Sequence, residues 1–458
     1  MELGTTAKPL HVAVLAFPFS SHPGPLLDFA RRIAAHSATP ENTTFSFFCT
    51  ADANASLFSE QNNPRLPPNF NHYHVHDGLP DAYVPSGHPI EKVYLFLNAM
   101  PENYRRAMDV AVAETGKKIS CIITDAFLWF GADMAAEMNA KWIPLWMAGP
   151  HALLLHVLTD LLRQKLEDDV CEEQSLSFVG GGLSKVKIED LPEGVVKGID
   201  DPFAIMLHKM GQMLPRATTV AINSCEAILP PAVNELKSKF QMLLNVGPLT
   251  TTQSISDVVP DEHGCLEWLD KHEKASVVYI GFGSVIVPPP HELAAIAEAL
   301  EETKFPFIWS FRGDPEKLLP EGMLERTKSQ GKVVQWAPQV RILRHSSIGV
   351  FVTHGGWNSI LESILGGVPM ICRPFFGDQM VNARMLEAEW GIGMAVKNGG
   401  LSNKDEAVKI LGSALLSEEG KIMREKIAFF KEAATKAVEP CGSSTQNFNT
   451  LVDLATTS

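Results

Sequence analysis

The sequence predicts an α/β chain of two doubly wound parallel-sheet units facing each other across a cleft. Three observations carry this prediction. Short apolar runs alternate with longer amphipathic stretches. They do so in two series, separated by one polar segment. The chain also has 458 residues, more than one ordinary core encloses.

In the first series, "HVAVLAF" (11–17), "TFSFFC" (44–49), "ISCIIT" (119–124) and "WIPLW" (142–146) read as strands. "PIEKVYLFLNAMPENYRRAMDVAVAETG" and "WFGADMAAEMNA" read as the helices between them. Strands apolar on both faces need cover on both faces. Crossover helices supply that cover, so the sheet is parallel. In the second series, "SVVYIGF", "PFIWSF", "KVVQW", "IGVFVT" and "VPMICRP" are strands. "PHELAAIAEALEE", "PQVRILRH", "GGWNSILESILGG" and "QMVNARMLEAEW" are its helices. The segment "GPLTTTQSISDVVPDEHG" (247–264) is rich in Thr, Ser, Asp and Pro and reads as an exposed linker.

The bulk numbers exclude several classes of function. A formal charge of −14 argues against a nucleic-acid or anionic-membrane surface, which needs a basic footprint. Seven cysteines, an odd count without a C-x-x-C pair, fit a reduced cytoplasmic protein better than a disulfide scaffold or a zinc site. The N-terminal apolar run lacks the basic start and long apolar stretch of a signal peptide, so it reads as the first strand. No window is long enough to span a membrane.

In doubly wound units, ligands sit beyond the carboxyl ends of the strands. The usual nucleotide loops are missing there. No G-x-x-x-x-G-K-[ST] occurs, no G-x-G-x-x-G follows the first strand, and "GFGS" (281–284) is a fragment of such a pattern. The first turn instead carries one histidine, His22. The richest stretch is "WAPQVRILRHSSIGVFVTHGGWNSILESILGGVPMICRPFFGDQ". Its strand "GVFVT" runs into His354, Gly355 and Gly356 and then a helix. Small residues admit a ligand to the backbone, and the helix start offers free N–H groups and a positive dipole. His354, Asn358 and Ser359 add side-chain donors, so a diphosphate is the obvious ligand. Glu362 lies on the same helix face and suits ribose hydroxyls. Trp336 ends a strand where its indole could stack on a base. "FFGDQ" offers a carboxylate and an amide to sugar hydroxyls.

This segment, Trp336 to Gln379, is 44 residues long. In length and content it resembles the plant signature of the family 1 UDP-dependent glycosyltransferases. "HVAVLAFPFSSHPGPLL", "CIITDAFLWFGADMAAEM", "LWMAGPH", "SVVYIGFGSV" and "RPFFGDQ" extend the resemblance along the chain, toward flavonoid 3-O-glucosyltransferases. The resemblance implies a GT-B fold of two Rossmann-like domains. An acceptor-binding domain would span 1–247, a linker 248–264, and a UDP-sugar-binding domain 265–440. A C-terminal helix, 441–458, is expected to pack back on the first domain.

Carried over by position, Trp336 would stack on uracil and the Ala337 backbone would bond its edge. Gln339 and Glu362 would hold the ribose. His354, Asn358 and Ser359, with Ser284, would meet the diphosphate. Ser20 and Trp357 belong to the same donor set. Asp378 and Gln379 would read the sugar, and glutamine at the last position goes with glucose. His22 would be the general base, with Asp125 behind it fixing the tautomer. The expected reaction is an inverting single displacement from UDP-glucose to a flavonoid or anthocyanidin hydroxyl, the 3-OH first. No metal or other cofactor is expected, because helix dipole and donors take the diphosphate charge. No Asp-x-Asp pattern occurs; "EDD" at 167–169 and "DD" at 200–201 read as surface. A monomer is expected.

Acceptor contacts are expected from Phe19, His156, Phe203, Phe376 and the loop 81–90. Three positions depart from the family pattern. Met147 stands where a threonine commonly approaches the sugar 6-hydroxyl, Gly281 replaces a serine, and Gly356 a cysteine. Met147 could favour a 6-deoxy sugar such as rhamnose, and UDP-rhamnose and UDP-galactose stay open as alternative donors. A non-catalytic nucleotide-sugar binding protein is the alternative of another class, and a two-domain NAD enzyme a third.

Overall fold

The computed structural model describes residues 9–19, 22–59, 66–80, 83–84, 91–166, 175–228, 230–251, 260–283, 285–396, 401 and 403–457. It contains two parallel sheets. The first has strands β1 (Leu10–Leu15), β2 (Thr43–Thr50), β3 (Phe70–Val75), β4 (Cys121–Asp125), β5 (Lys141–Trp146), β6 (Val220–Ile222) and β7 (Leu243–Asn245). Its spatial order is β3-β2-β1-β4-β5-β6-β7. The second has β8 (Val277–Gly281), β9 (Phe307–Ser310), β10 (Gly331–Val334), β11 (Ile348–Thr353), β12 (Met370–Cys372) and β13 (Gly393–Ala395). Its order is β10-β9-β8-β11-β12-β13.

Both sheets are doubly wound, as the sequence predicts. The central strands are the apolar runs. All six residues of β1 and of β11 are buried. Each buried Val, Leu, Ile or Phe there contributes about 1.5–3 kcal/mol over exposure. The strands the sequence does not announce are the edge strands β3, β7 and β13 and the short β6 between β5 and β7. β3, "FNHYHV", leaves Asn71, His72 and His74 exposed, so it has no apolar run to read. β6, β7 and β13 are three residues each, shorter than any periodicity. The long helical stretch after residue 88 is two helices, Glu91–Ala99 and Glu102–Thr115. Pro101 lies between them, and it lacks the N–H and clashes with the preceding turn.

The strand order reverses at the β1/β4 pair in the first sheet and at the β8/β11 pair in the second. Leu15 pairs with Thr124, and Gly281 pairs with Thr353. The loops leaving these four strands therefore open at the two switch points, where a doubly wound sheet leaves a crevice.

The polar connector is only partly exposed. Pro248 and Leu249 at its start are buried, and residues 252–259 lie outside the described residues. The last helix, Ser443–Thr456, packs on the first sheet. Phe448 meets Phe29 at 6.0 Å, and the Arg32 guanidinium lies 4.3 Å over the Phe448 ring. Lys141 Nζ donates to the Leu454 carbonyl at 3.0 Å, capping the helix C-terminus. Among the described residues, no helix is long and apolar enough to cross a membrane.

Candidate active site

At the first switch point, His22 stands just before the helix Pro23–His36. Its side chain makes no capping bond; Pro23, with no N–H to satisfy, opens the helix instead. The imidazole is thereby free to turn toward β4. Its Nδ1 lies 2.7 Å from Asp125 Oδ2. Asp125 is 2% exposed, and its Oδ1 accepts the Phe127 N–H at 2.9 Å. One carboxylate is thus fixed by the backbone on one side and by the imidazole on the other. His22 Nδ1–H faces a carboxylate, so Nε2 is the basic nitrogen of the neutral ring. Nε2 has no protein partner among the described residues.

Aromatic rings surround this pair. Phe127 lies 4.7 Å from the His22 ring and Phe17 5.3 Å from it. Phe127 also touches Phe203 at 5.7 Å and Trp146 at 6.0 Å. Phe19 joins through Phe17 and Phe96, at 5.2 and 5.4 Å. Phe19 and Phe203 thus reach the histidine through neighbouring rings. His156 packs beside Trp146 at 5.9 Å but is only 5% exposed, which leaves it little surface to offer a ligand. Burial pushes its pKa down to about 4. Phe127 is the centre of the wall and was not singled out in the sequence. Its place two residues after Asp125 was the available signal.

At the second switch point the chemistry is different. Gly355 has φ +82° and Gly283 φ +75°, both in the left-handed region. A Cβ on Gly283 would come within 2.7 Å of the His354 ring. His354 follows β11, and burial lowers its pKa to about 4, so the ring is neutral at pH 7. The helix Trp357–Gly366 starts here with no side-chain cap on its N–H groups. Gln339 organises the helix face. It donates to Glu362 Oε2 at 2.7 Å and to Ser359 Oγ at 3.2 Å, and accepts from the Tyr279 hydroxyl at 3.2 Å. Burial raises the Glu362 carboxyl to about 7, against the opposing effects of Gln339 and Arg344. Trp336 is 58% exposed, unusual for so large an apolar ring, whereas Ala337 is buried.

The Trp357 ring has a structural task. Its indole is 3% exposed, and its Nε1–H donates to the Asn223 carbonyl at 2.6 Å. The ring is committed to the junction between the two halves, so only its backbone remains at the helix start. Gln379 is also partly committed. Its Oε1 accepts the Phe375 N–H at 2.9 Å and pins the turn, leaving Nε2 as its available group. Asp378 is half-buried and accepts from Asn382 at 2.8 Å. Burial raises its carboxyl to about 6, and His22 opposes the rise. Phe376 beside it is 44% exposed. Asn382, missed in the sequence, also donates to the Gly355 carbonyl at 3.0 Å, tying the two loops of this sheet together. Met147 packs partly against the core of the first sheet.

Ser20, Ser284, Ile90 and the "EDD" at 167–169 lie outside the described residues, as does most of the loop 81–90. Asp201 has a structural task, accepting the Phe203 N–H at 2.8 Å as the cap of the helix Pro202–Met213. Among the described residues, no group of three or more His, Cys, Asp or Glu is arranged to hold a metal ion.

Comparison with known proteins agrees with this layout. The family model described as "UDP-glucoronosyl and UDP-glucosyl transferase" matches residues 90–419. A flavonoid 3-O-glucosyltransferase of Medicago truncatula is 58% identical, covering 98% of this chain and 97% of that protein. A flavonol 3-O-glucosyltransferase of Arabidopsis thaliana is 50% identical, covering 97% and 96%. The crystal structure of a UDP-glucose:anthocyanidin 3-O-glucosyltransferase in complex with UDP matches with a TM-score of 0.90 and 40% identity, over 98% of this chain and 100% of that one. Its relatives and its two facing parallel-sheet units make the fold GT-B. The chain belongs to the UDP-glucuronosyl and UDP-glucosyl transferase family and is a hexose-transferring enzyme.

Proposed function

We propose that this enzyme transfers glucose from UDP-glucose to the 3-hydroxyl of a flavonol or anthocyanidin, inverting the anomeric centre. The observation that carries the reading is the His22–Asp125 pair at 2.7 Å, set among aromatic rings. His22 Nε2 takes the proton of the acceptor hydroxyl. The acceptor oxygen attacks C1 of the sugar as the bond from C1 to the UDP oxygen breaks. An α-linked donor gives a β-linked product, with no covalent glycosyl-enzyme. Asp125 stabilises the imidazolium. Trp336 stacks on uracil and the Ala337 backbone bonds its edge, while Gln339 and Glu362 hold the ribose. His354, Asn358, Ser359 and the helix start take the charge that grows on the diphosphate, with no metal. Asp378 and Gln379 hold the sugar hydroxyls. The acceptor half is 1–247 and the donor half 265–440, joined by 248–264. The six described cysteines, all unpaired, support a cytoplasmic setting.

Met147 favours a second donor reading. A thioether cannot donate a hydrogen bond to a 6-hydroxyl, so a 6-deoxy sugar such as rhamnose loses nothing there. Turnover of one flavonol with UDP-glucose, UDP-galactose and UDP-rhamnose, with product linkage read by NMR, decides between them. The expected product is the 3-O-β-glucoside. A clear preference for another donor, or linkage elsewhere on the flavonol, overturns the assignment.

A further inference from the structure

Asn223 follows β6 in the first sheet and is 2% exposed. All of its polar groups are engaged. Its N–H donates to the Trp146 carbonyl at 2.9 Å, and its carbonyl accepts the Trp357 indole N–H at 2.6 Å. Its Oδ1 accepts the Leu249 N–H at 2.9 Å, and its Nδ2 donates to Asn358 Oδ1 at 3.0 Å. A terminal amide can normally be turned end for end, but this one cannot. The Leu249 N–H is a backbone group and can only donate, so the Asn223 oxygen must face it. The Asn223 NH₂ then faces Asn358, and the Asn358 atom that receives it must be the oxygen. Asn358 is left with Nδ2, a pure donor, which has no protein partner among the described residues.

We infer that Asn223 is a positioning residue for donor binding: it locks the Asn358 amide so that its NH₂ group, and not its oxygen, meets the diphosphate. The inference rests on the reading of Asn358 as a diphosphate contact. Phosphate oxygens only accept, so an amide turned the other way repels the ligand instead of binding it. The lock comes from the first sheet and the connector, while the amide it sets belongs to the second sheet. One half of the molecule therefore determines how the other half binds its donor.

The test is a double-mutant cycle on UDP affinity by calorimetry, with N223D, N358A and the double variant. In N223D the new carboxylate still accepts from Leu249 but cannot donate to Asn358, so the Asn358 amide turns its NH₂ inward and its oxygen toward UDP. UDP affinity falls about ten- to a hundredfold, the range for a hydrogen bond to a charged group. KM for the UDP-sugar rises in step, KM for the acceptor is unchanged, and the effect of N223D disappears in the N358A background. If N358A is weakened but N223D binds UDP like the wild type, the lock is wrong and Asn358 keeps its role. An equal loss from N223D in both backgrounds is a general structural effect and also overturns the lock. If N358A itself binds UDP like the wild type, the reading of Asn358 fails and the inference with it. Should N223D not fold, N223S runs the same cycle. Its short side chain frees the Asn358 amide, with about a two- to fivefold loss expected, again absent beside N358A.

Discussion

The two switch points share one topology and carry opposite chemistry. Beyond β1 and β4 the loops are built from Phe17, Phe19, His22 and Phe127, with one buried carboxylate behind the histidine. Beyond β8 and β11 they are built from Gly283, His354, Gly355 and an uncapped helix start. Rings exclude water and give flat apolar walls, which suit a planar acceptor. Glycines let the backbone approach and expose N–H groups, which suit an anion. Sheet topology sets where a ligand sits, and loop composition sets which ligand it is.

If this division holds, changes at the first point act on turnover and changes at the second on donor binding. The largest effect is expected from His22→Ala: kcat falls at least about a thousandfold while UDP affinity stays within about twofold. Single-turnover kinetics beside UDP titration would check it, and unchanged turnover would remove His22 as the base. Asp125→Asn comes next. The Phe127 N–H keeps the amide oxygen, so the NH₂ faces His22 Nδ1 and drives the ring proton to Nε2. The ring then holds the wrong tautomer, and kcat falls about a hundredfold or more. Trp336→Ala, on the other side, should raise KM for the UDP-sugar about tenfold through lost stacking and leave acceptor KM alone. A loss confined to kcat would break the comparison.

Two pH effects are smaller. The Asp378 carboxyl, held at about 6, is increasingly protonated in the free enzyme below that pH. KM for the UDP-sugar should rise as pH falls through 6, and Asp378→Asn should flatten that dependence at a higher KM. The last effect concerns stability. His156 has its pKa lowered from 6.5 to about 4 in the folded chain. Its contribution is fully present above 6.5 and is lost as pH falls toward 4. Glu362, raised to about 7, works in the opposite sense, losing its contribution as pH rises from 4.5 toward 7. Only a comparison with a variant isolates one group. Between pH 6.5 and 4.5, the thermal midpoint of His156→Asn should fall less than that of the wild type, by about a degree or two.

Much of this site can be read in the sequence because consecutive residues define it. "THGGWNS" is a strand end, a tight turn and a helix start in seven letters, and small and donor residues there have one economical use. Trp336 is harder, since an indole after a strand is ordinary core until its exposure is known. The acceptor wall is harder still. Phe19, Phe127, Trp146 and Phe203 come from four separate segments, and phenylalanine is the usual filler of cores, so only their convergence on His22 marks them. Trp357 shows the opposite case. It lies inside the best motif of the chain, yet its ring is buried in the junction between the halves.

The sequence by itself determined the two doubly wound units, the central strands of each sheet and the donor motif, because those depend on periodicity and on neighbours along the chain. The family resemblance that it carries also implied His22 and Asp125 as a pair. Tertiary structure alone decided the edge strands β3, β7 and β13 and the short strand β6 between β5 and β7, whose pairing partners supply what their composition lacks. It decided as well which atom each site residue presents. Asn358 offers its nitrogen because Asn223, 135 positions away, holds its oxygen, and that held oxygen is traced to the backbone of Leu249. Hydrogen-bond direction passes through space from one partner to the next, and no spacing along the chain records it.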